Sequence, residues 1–324
     1  MLRVVFLLLG TALLVLLLGR LGPSEILHVL GRIGWHSIPI LLLYTAYQAT
    51  RALALRACVV QATSLRYRDA LTIRFSGEAV QSLTFTGPLL AEPTKAWLLE
   101  RHGLTRKEGF AATITEYLIC TFVTAGMSIA GLLYLVRQFE PVPVVSGVAT
   151  GMAFGIGAFL IASAIAIVRR FYLIGAVIAG LARIGVLRGR LRPDMAWINR
   201  MEDLLLAVLR DRPGRFAAIA LIETAAQAFL ILEVVVVLHA LELAAPQSYP
   251  FVIEAVTKFI SVAFLFIPMQ MGVAEGTYAV IFATLGLPAA AGFTLAFVRR
   301  ARSLLVAGIG LTMLGLLSRN RRVH

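Results

Sequence analysis

The chain has 324 residues, of which 59% are hydrophobic and 15% charged, and its mean hydropathy is +0.87. Usage this apolar excludes both an ordinary soluble domain and a disordered chain. The net charge of +13 does not point to nucleic acid, because it comes from arginines gathered between apolar runs, where positive charge marks the cytoplasmic side of a membrane protein.

Residues 4–19, 117–136, 141–168 and 276–298 carry no formal charge. Several of these runs reach the roughly 20 residues that a helix needs to cross the hydrocarbon core. The expected fold is therefore an all-α polytopic membrane protein, a single transmembrane domain over residues 1–324. It has about six full spans plus two re-entrant helical hairpins. Span 1 covers 3–20; no A-x-A-type cleavage site follows it, so it reads as an uncleaved first span and not a signal peptide. Span 2 covers 38–60, and the first hairpin 75–99. Spans 3 and 4 cover 110–136 and 147–168. An Arg-rich cytoplasmic connection follows over 169–215, with a surface helix near 194–209. Span 5 covers 216–241, the second hairpin 251–287 and span 6 290–318.

Charge orients this path. Arg3, the basic loops at 66–74 and 101–107, the connection at 169–215 and the tail Arg319-Asn320-Arg321-Arg322 belong inside, whereas 138–146 and 242–250 hold one acid each and no base. Both termini are then cytoplasmic, in a cell inner (plasma) membrane. Residues 38–136 and 216–318 become two units of opposite orientation, an inverted-topology repeat. A competing path makes 276–298 a full span. It leaves Arg299, Arg300 and Arg302 outside, against the positive-inside tendency, and ignores the breaker Gly286-Leu287-Pro288.

Two stretches within the hairpins resemble each other. One is Gly87-Pro88-Leu89-Leu90-Ala91-Glu92-Pro93-Thr94; the other is Pro268-Met269-Gln270-Met271-Gly272-Val273-Ala274-Glu275-Gly276-Thr277. Each breaks the helix and ends in Ala-Glu. A carboxylate at membrane depth costs about 2.5–3.5 kcal/mol even on the lenient insertion scale, and broken backbone is tolerated there only inside protein or along a cavity. Paired interruptions of this kind mark a transporter's binding site. The bland alternative is that each glutamate caps a half-helix.

The same logic selects the other candidates. Lys95 follows Glu92 by one turn, so the two can pair. Glu116 opens an uncharged span and follows Glu92 at nearly the interval by which Arg300 follows Glu275. A buried Glu–Arg pair would offset the cost of placing either alone, with Arg299 and Arg302 as near alternatives; snorkelling to the interfaces is the bland alternative. Tyr44, Tyr47, Gln48 and Arg51 recur at i, i+3, i+4 and i+7, one polar stripe on span 2, with Arg56 about 140° away. Glu223 and Gln227 share a face of span 5, and Glu233 lies deeper. Gly147, Gly151 and Gly155 form a small-residue ridge suited to close helix packing and to a homo-oligomer. Cys58 and Cys120 have no CxxC partner, and the five histidines have no ligand spacing, so no metal or cofactor is expected. No G-x-S-x-G, H-E-x-x-H or P-loop is present, and no enzyme is expected.

At these motifs the chain resembles the flippase-like family of the lysylphosphatidylglycerol synthase transmembrane region, over roughly residues 40–318. Members of that family show a Pro-containing loop and then Gly-Glu with a basic residue three further on, which is similar to Pro88, Ala91-Glu92 and Lys95. Their Glu-Arg early in the next span corresponds to Glu116-Tyr117, so the arginine is missing. Their Pro followed by Gly-Val-x-Glu corresponds to Pro268 and Gly272-Val273-Ala274-Glu275. Their later arginine corresponds to one of Arg299, Arg300 or Arg302. The resemblance implies lipid translocation and not aminoacyl transfer. The expected function is a lipid flippase or lipid transporter that moves a phosphate-bearing headgroup through a charged intramembrane cavity. Its partners are membrane lipids with anionic headgroups. The alternatives are a non-transporting membrane partner of a lipid- or envelope-modifying enzyme, and an intramembrane lipid enzyme acting through Glu92, Glu116 and Glu275.

Overall fold

The computed structural model describes residues 31, 33–59, 65–84, 87–139, 143–169, 171–172, 175–176, 178–180, 195–263 and 273–319. Among them every regular element is helical. A short 3-10 turn leads into α1 (Ser37–Cys58). Then follow α2 (Tyr67–Leu83), α3 (Pro88–Glu100), α4 (Arg106–Phe139), α5 (Pro143–Val168), α6 (Met195–Leu209), α7 (Pro213–Ala240), α8 (Tyr249–Ala263), α9 (Val273–Thr284) and α10 (Ala289–Arg319).

Local chemistry explains the boundaries. Gly87 holds φ at +47° directly before Pro88, a backbone state that glycine alone adopts freely, and proline at the first helical position then starts α3. Thr105 and Glu108 form a reciprocal capping box for α4: the Thr105 N–H donates to Glu108 Oε2 at 2.9 Å and the Glu108 N–H donates to Thr105 Oγ1 at 3.3 Å. Arg215 in the first turn of α7 donates to the carbonyls of Ala57 and Val59, at 2.6 and 2.5 Å. It thereby satisfies the open end of α1.

Helices 34–58, 106–139, 146–168 and 213–240 are long and apolar enough to cross a membrane. The expected first span at 3–20 lies outside the described residues. So do Pro268 and Gly272 at the second hairpin's tip, residues 181–194 of the Arg-rich connection and the tail from residue 320. Helix α10 has the expected extent, with Arg299, Arg300 and Arg302 within it, and not in the loop that the competing path requires. The arms of the two hairpins are short. At 1.5 Å per residue, α2 and α3 are about 25 and 20 Å long and α8 and α9 about 22 and 18 Å, less than the roughly 30 Å hydrocarbon core. Helix α6 is the expected surface helix, and its apolar face (Ile198, Met201, Leu205, Leu206) is buried against α4 and α7.

Helix α1 packs along α7, α2 along α10 and α8 along α4, while each hairpin also packs on the long helix that follows it, α3 on α4 and α9 on α10. Glycines permit the closest of these crossings. A Cβ on Gly109 would stand 2.8 Å from the Ala96 carbonyl oxygen, and one on Gly292 2.5 Å from that of Tyr278. A Cβ on Gly131 would collide with Ala255, and one on Gly310 with the Phe75 carbonyl. By contrast, a Cβ on Gly147, Gly151 or Gly155 meets nothing within 4 Å. The ridge expected to seat a neighbouring helix is therefore unpacked among the described residues, because α5 buries its other face through Ala149, Ala153 and Ile156.

Gly310→Ala is expected to destabilise the protein by ~1–3 kcal/mol through overpacking, whereas Gly151→Ala should stay within about 0.5 kcal/mol. Thermal unfolding of the two purified variants in detergent checks the contrast; equal melting temperatures would refute it.

Candidate functional site: two buried charge centres

The polar stripe on α1 is buried as its spacing predicts. Tyr44, Tyr47, Gln48 and Arg51 are at most 8% exposed. Arg51 donates to Tyr47 Oη at 3.1 Å and pairs with Glu223 of α7 at 3.1 Å. It also pairs with Glu116 of α4. Arg56, on the opposite side of the last turn of α1, is exposed and takes no part in this cluster, in keeping with its angular offset.

Glu116 is fully buried and is the first centre. Besides Arg51 it accepts from Arg74 Nη1 of α2 at 3.2 Å and from Lys95 Nζ of α3 at 2.9 Å. Lys95 also reaches Glu92 at 2.8 Å, the expected i, i+3 pair. Gly77 makes room for the lysine stem, since a Cβ there would lie 2.6 Å from Lys95 Cγ. Glu92 Oε2 is buried without a hydrogen-bond partner among the described residues. Arg74 belongs to the first hairpin, 3% exposed, and not to a basic cytoplasmic loop as the charge count suggested. Only the three-dimensional packing of α2 against α1, which brings Arg74 to Gln48 and Glu116, turns it inward.

The second centre is Arg299 of α10. It pairs with Glu233 of α7 at 3.2 Å and with Glu254 of α8, and it donates to Tyr278 Oη of α9. Glu254 in turn pairs with Lys258 at 2.9 Å. Arg302 pairs with Glu233 and Arg300 with Glu275. Glu116 therefore does not meet Arg300. The two lie in different helix sets, each already supplied with its own counter-charges.

Tyrosines join the centres. The Arg302 guanidinium lies 3.9 Å from the centre of the Tyr44 ring, a cation–π contact, and Tyr44 stacks on Tyr47 at 5.6 Å. The Tyr44 hydroxyl donates to Glu78 at 2.8 Å and accepts from Gln48 Nε2 at 3.2 Å. Gln48 Oε1 accepts from Arg74 at 2.9 Å. A continuous polar chain thus runs from Lys95 through Glu116, Arg74, Gln48, Tyr44, Arg302, Glu233, Arg299 and Glu254 to Lys258. The carboxylates are Glu78, Glu92, Glu116, Glu223, Glu233, Glu254 and Glu275. The cations are Arg51, Arg74, Lys95, Lys258, Arg299, Arg300 and Arg302. Among the described residues they match seven to seven, so this network carries no net formal charge and is not a simple anion trap.

Sequence reasoning passed over Arg74, Glu78, Glu254 and Lys258. Their signal was present: Arg74/Glu78 and Glu254/Lys258 are both opposite charges at i, i+4 on short helices, which pair on one face.

A family model described as the lysylphosphatidylglycerol synthase TM region matches residues 2–310, and the chain belongs to that family. No curated protein and no solved structure matches it.

Glu116→Gln removes the counter-charge shared by three cations and is expected to destabilise the protein by about 3–5 kcal/mol. Lys95→Met added to it should cost less than the sum of the two single changes by ~0.5–3 kcal/mol. Unfolding of the single and double variants in detergent measures the coupling, and strict additivity would contradict a shared network.

Proposed function

We propose that this member of the family is a flippase or lipid transporter of the cell inner membrane. It moves a phosphate-bearing lipid headgroup along the chain of buried charges while the acyl chains stay in the bilayer. It performs no covalent chemistry, and both of its termini are cytoplasmic. The observation that carries this reading is the pair of linked, oppositely signed centres. Glu116 gathers one cation from each of α1, α2 and α3, and Arg299 gathers one carboxylate or hydroxyl from each of α7, α8 and α9.

Several observations support an inverted repeat of α1–α4 and α7–α10, with six full spans and two re-entrant hairpins. Glu116 stands 10 residues into α4 (116 − 106), and Arg299 stands 10 residues into α10 (299 − 289). Gly109 and Gly292 occupy the fourth position of the same two helices, and each meets the backbone of the preceding hairpin arm. Arg74/Glu78 corresponds to Glu254/Lys258 with signs exchanged. The crossings α2–α10 and α8–α4 also exchange under the same correspondence. Basic residues precede α4, whereas the turn before α10 holds none; by the positive-inside tendency the hairpins then enter from opposite faces. Ten residues of helix rise about 15 Å, half of a roughly 30 Å core. That places Glu116 and Arg299 near the midplane if their helices begin at opposite surfaces.

Such an interior suits headgroup passage. Each fixed charge already has a partner, so a headgroup phosphate can replace a carboxylate on a cation, and a headgroup amine can replace a cation on a carboxylate, without leaving any charge bare.

Reconstituted protein should speed the loss of outer-leaflet headgroup-labelled phospholipid above the rate in empty vesicles. Arg299→Gln should lower that rate by about 10-fold or more, the equivalent of losing one charged hydrogen bond of ~1.5–3 kcal/mol, while the protein still elutes as a folded species. A wild-type rate equal to that of empty vesicles, across anionic and zwitterionic lipids, would reject transport. It would favour a non-transporting partner of a lipid-modifying enzyme.

A further inference from the structure

A cavity of about 230 Å³ opens between α4, α5 and α8, apart from every residue that the sequence singled out for chemistry. Its walls include Thr121, Thr124 and Ser128 of α4, Gly155 and Phe159 of α5 and Lys258 of α8. Helix α5 is the most outward-facing of the candidate spans, with only 17% of its apolar window buried, and Phe154 and Ile161 on it are 76% and 63% exposed. The cavity therefore sits beside a helix that faces lipid.

The distribution of donors says what fits. The three wall hydroxyls are committed to backbone carbonyls: Thr121 donates to Tyr117 at 2.8 Å, Thr124 to Cys120 at 2.8 Å and Ser128 to Ala255 at 2.9 Å. Among the described residues Lys258 is the single charged group on the wall. Its ammonium has three N–H donors, and among the described residues Glu254 is its one carboxylate partner. A free phosphate presents several oxygens that each need a donor, and this wall cannot supply them. An amphiphile needs one cation at one end and apolar surface along the rest, which is what the cavity offers.

We infer that this cavity is a binding site for an anionic amphiphile, a lipid whose phosphate or carboxylate engages Lys258 Nζ while its apolar part lies against α5. Glu254 links Lys258 to the Arg299 centre. An anion arriving at Lys258 releases Glu254 to pair with Arg299 alone, so occupation of the cavity is transmitted to the buried chain. As an entry point the site rests on the transport reading, but its existence does not, and binding is measured apart from flipping.

The test uses the full chain in phosphatidylcholine nanodiscs doped with photoactivatable phosphatidylglycerol, with adducts mapped by peptide mass spectrometry. Adducts should concentrate on the α4 and α5 peptides that line the cavity. Lys258→Met should reduce them about tenfold, the effect of losing one hydrogen bond to a charged group, whereas Lys258→Arg should retain them. Phe159→Trp, which fills the cavity and leaves the charge network untouched, should also reduce them and guards against misfolding of the lysine variants. Three results would overturn the inference: equal labelling by uncharged photoactivatable diacylglycerol, labelling unchanged in Lys258→Met, or displacement by inorganic phosphate alone. Cavity labelling without headgroup translocation would reject the transport reading and leave the binding site standing.

Discussion

A charge inside a bilayer has to bring its counter-charge with it, and this constraint shapes the whole molecule. On the lenient insertion scale a single bare carboxylate or guanidinium costs about 2.5–3.5 kcal/mol, so a handful of them unpaired would exceed the 5–15 kcal/mol stability of a typical domain. The fold answers by making every helix of each four-helix set contribute to one centre. Glu116 cannot be buried until α1, α2 and α3 deliver Arg51, Arg74 and Lys95. Arg299 depends in the same way on α7, α8 and α9. The centres therefore specify which helices meet, beyond what apolar packing alone dictates in lipid, where the hydrophobic effect does not distinguish one greasy face from another.

Full mutual pairing also governs how a ligand could be handled. A site with surplus positive charge binds anions tightly and releases them slowly. A neutral network binds by exchanging partners, so the net change on occupation is the difference between two ion pairs. Gly77, beside the Lys95 stem, and the glycine crossings at Gly109 and Gly292 let the hairpins lie close without bulky side chains between them. The charged groups they carry then sit within reach of more than one partner. Lys95 already bridges Glu92 and Glu116, and Arg299 bridges Glu233 and Glu254.

Much of this was legible in the sequence because membranes simplify the code. Long uncharged runs and Gly/Pro breakers located the long helices to within about four residues, whereas the first arm of the first hairpin begins at Tyr67, eight residues before the expected start at 75; the i, i+3, i+4, i+7 stripe on α1 identified a buried face. Glu92, Lys95, Glu116, Glu275 and Arg300 all proved to be in buried ion pairs. What the sequence could not supply was partnership. The intervals linking Glu116 and Arg300 suggested that they pair, yet each finds its partners on neighbouring helices: Arg51, Arg74 and Lys95 for Glu116, and Glu275 for Arg300. Arg74 follows other basic residues, Arg66 and Arg68, and so reads as part of a loop; only the packing of α2 onto α1 places it inside. Arg56 failed for the opposite reason: it lies on the correct helix but on the wrong face.

The two centres have opposite signs, a carboxylate ringed by cations and a guanidinium ringed by acceptors. If α1–α4 and α7–α10 do exchange roles, as the transport reading holds, a symmetric pair of identical sites would make the two end states equal in energy for any headgroup. With a carboxylate at one centre and a guanidinium at the other, equality is lost. A phosphate meets a carboxylate ringed by cations on one side and a guanidinium ringed by acceptors on the other, and an amine meets the reverse. Tyr44 and Tyr47 stand between these environments, one face of the pair against Arg302 and the hydroxyls toward Glu78 and Arg51. An aromatic pair in that position offers a cation a weaker, non-directional contact than a carboxylate does. On the transport reading such a pair would pass a charged group along without trapping it, and the difference between the two flanking centres would set the side on which a headgroup of given charge rests.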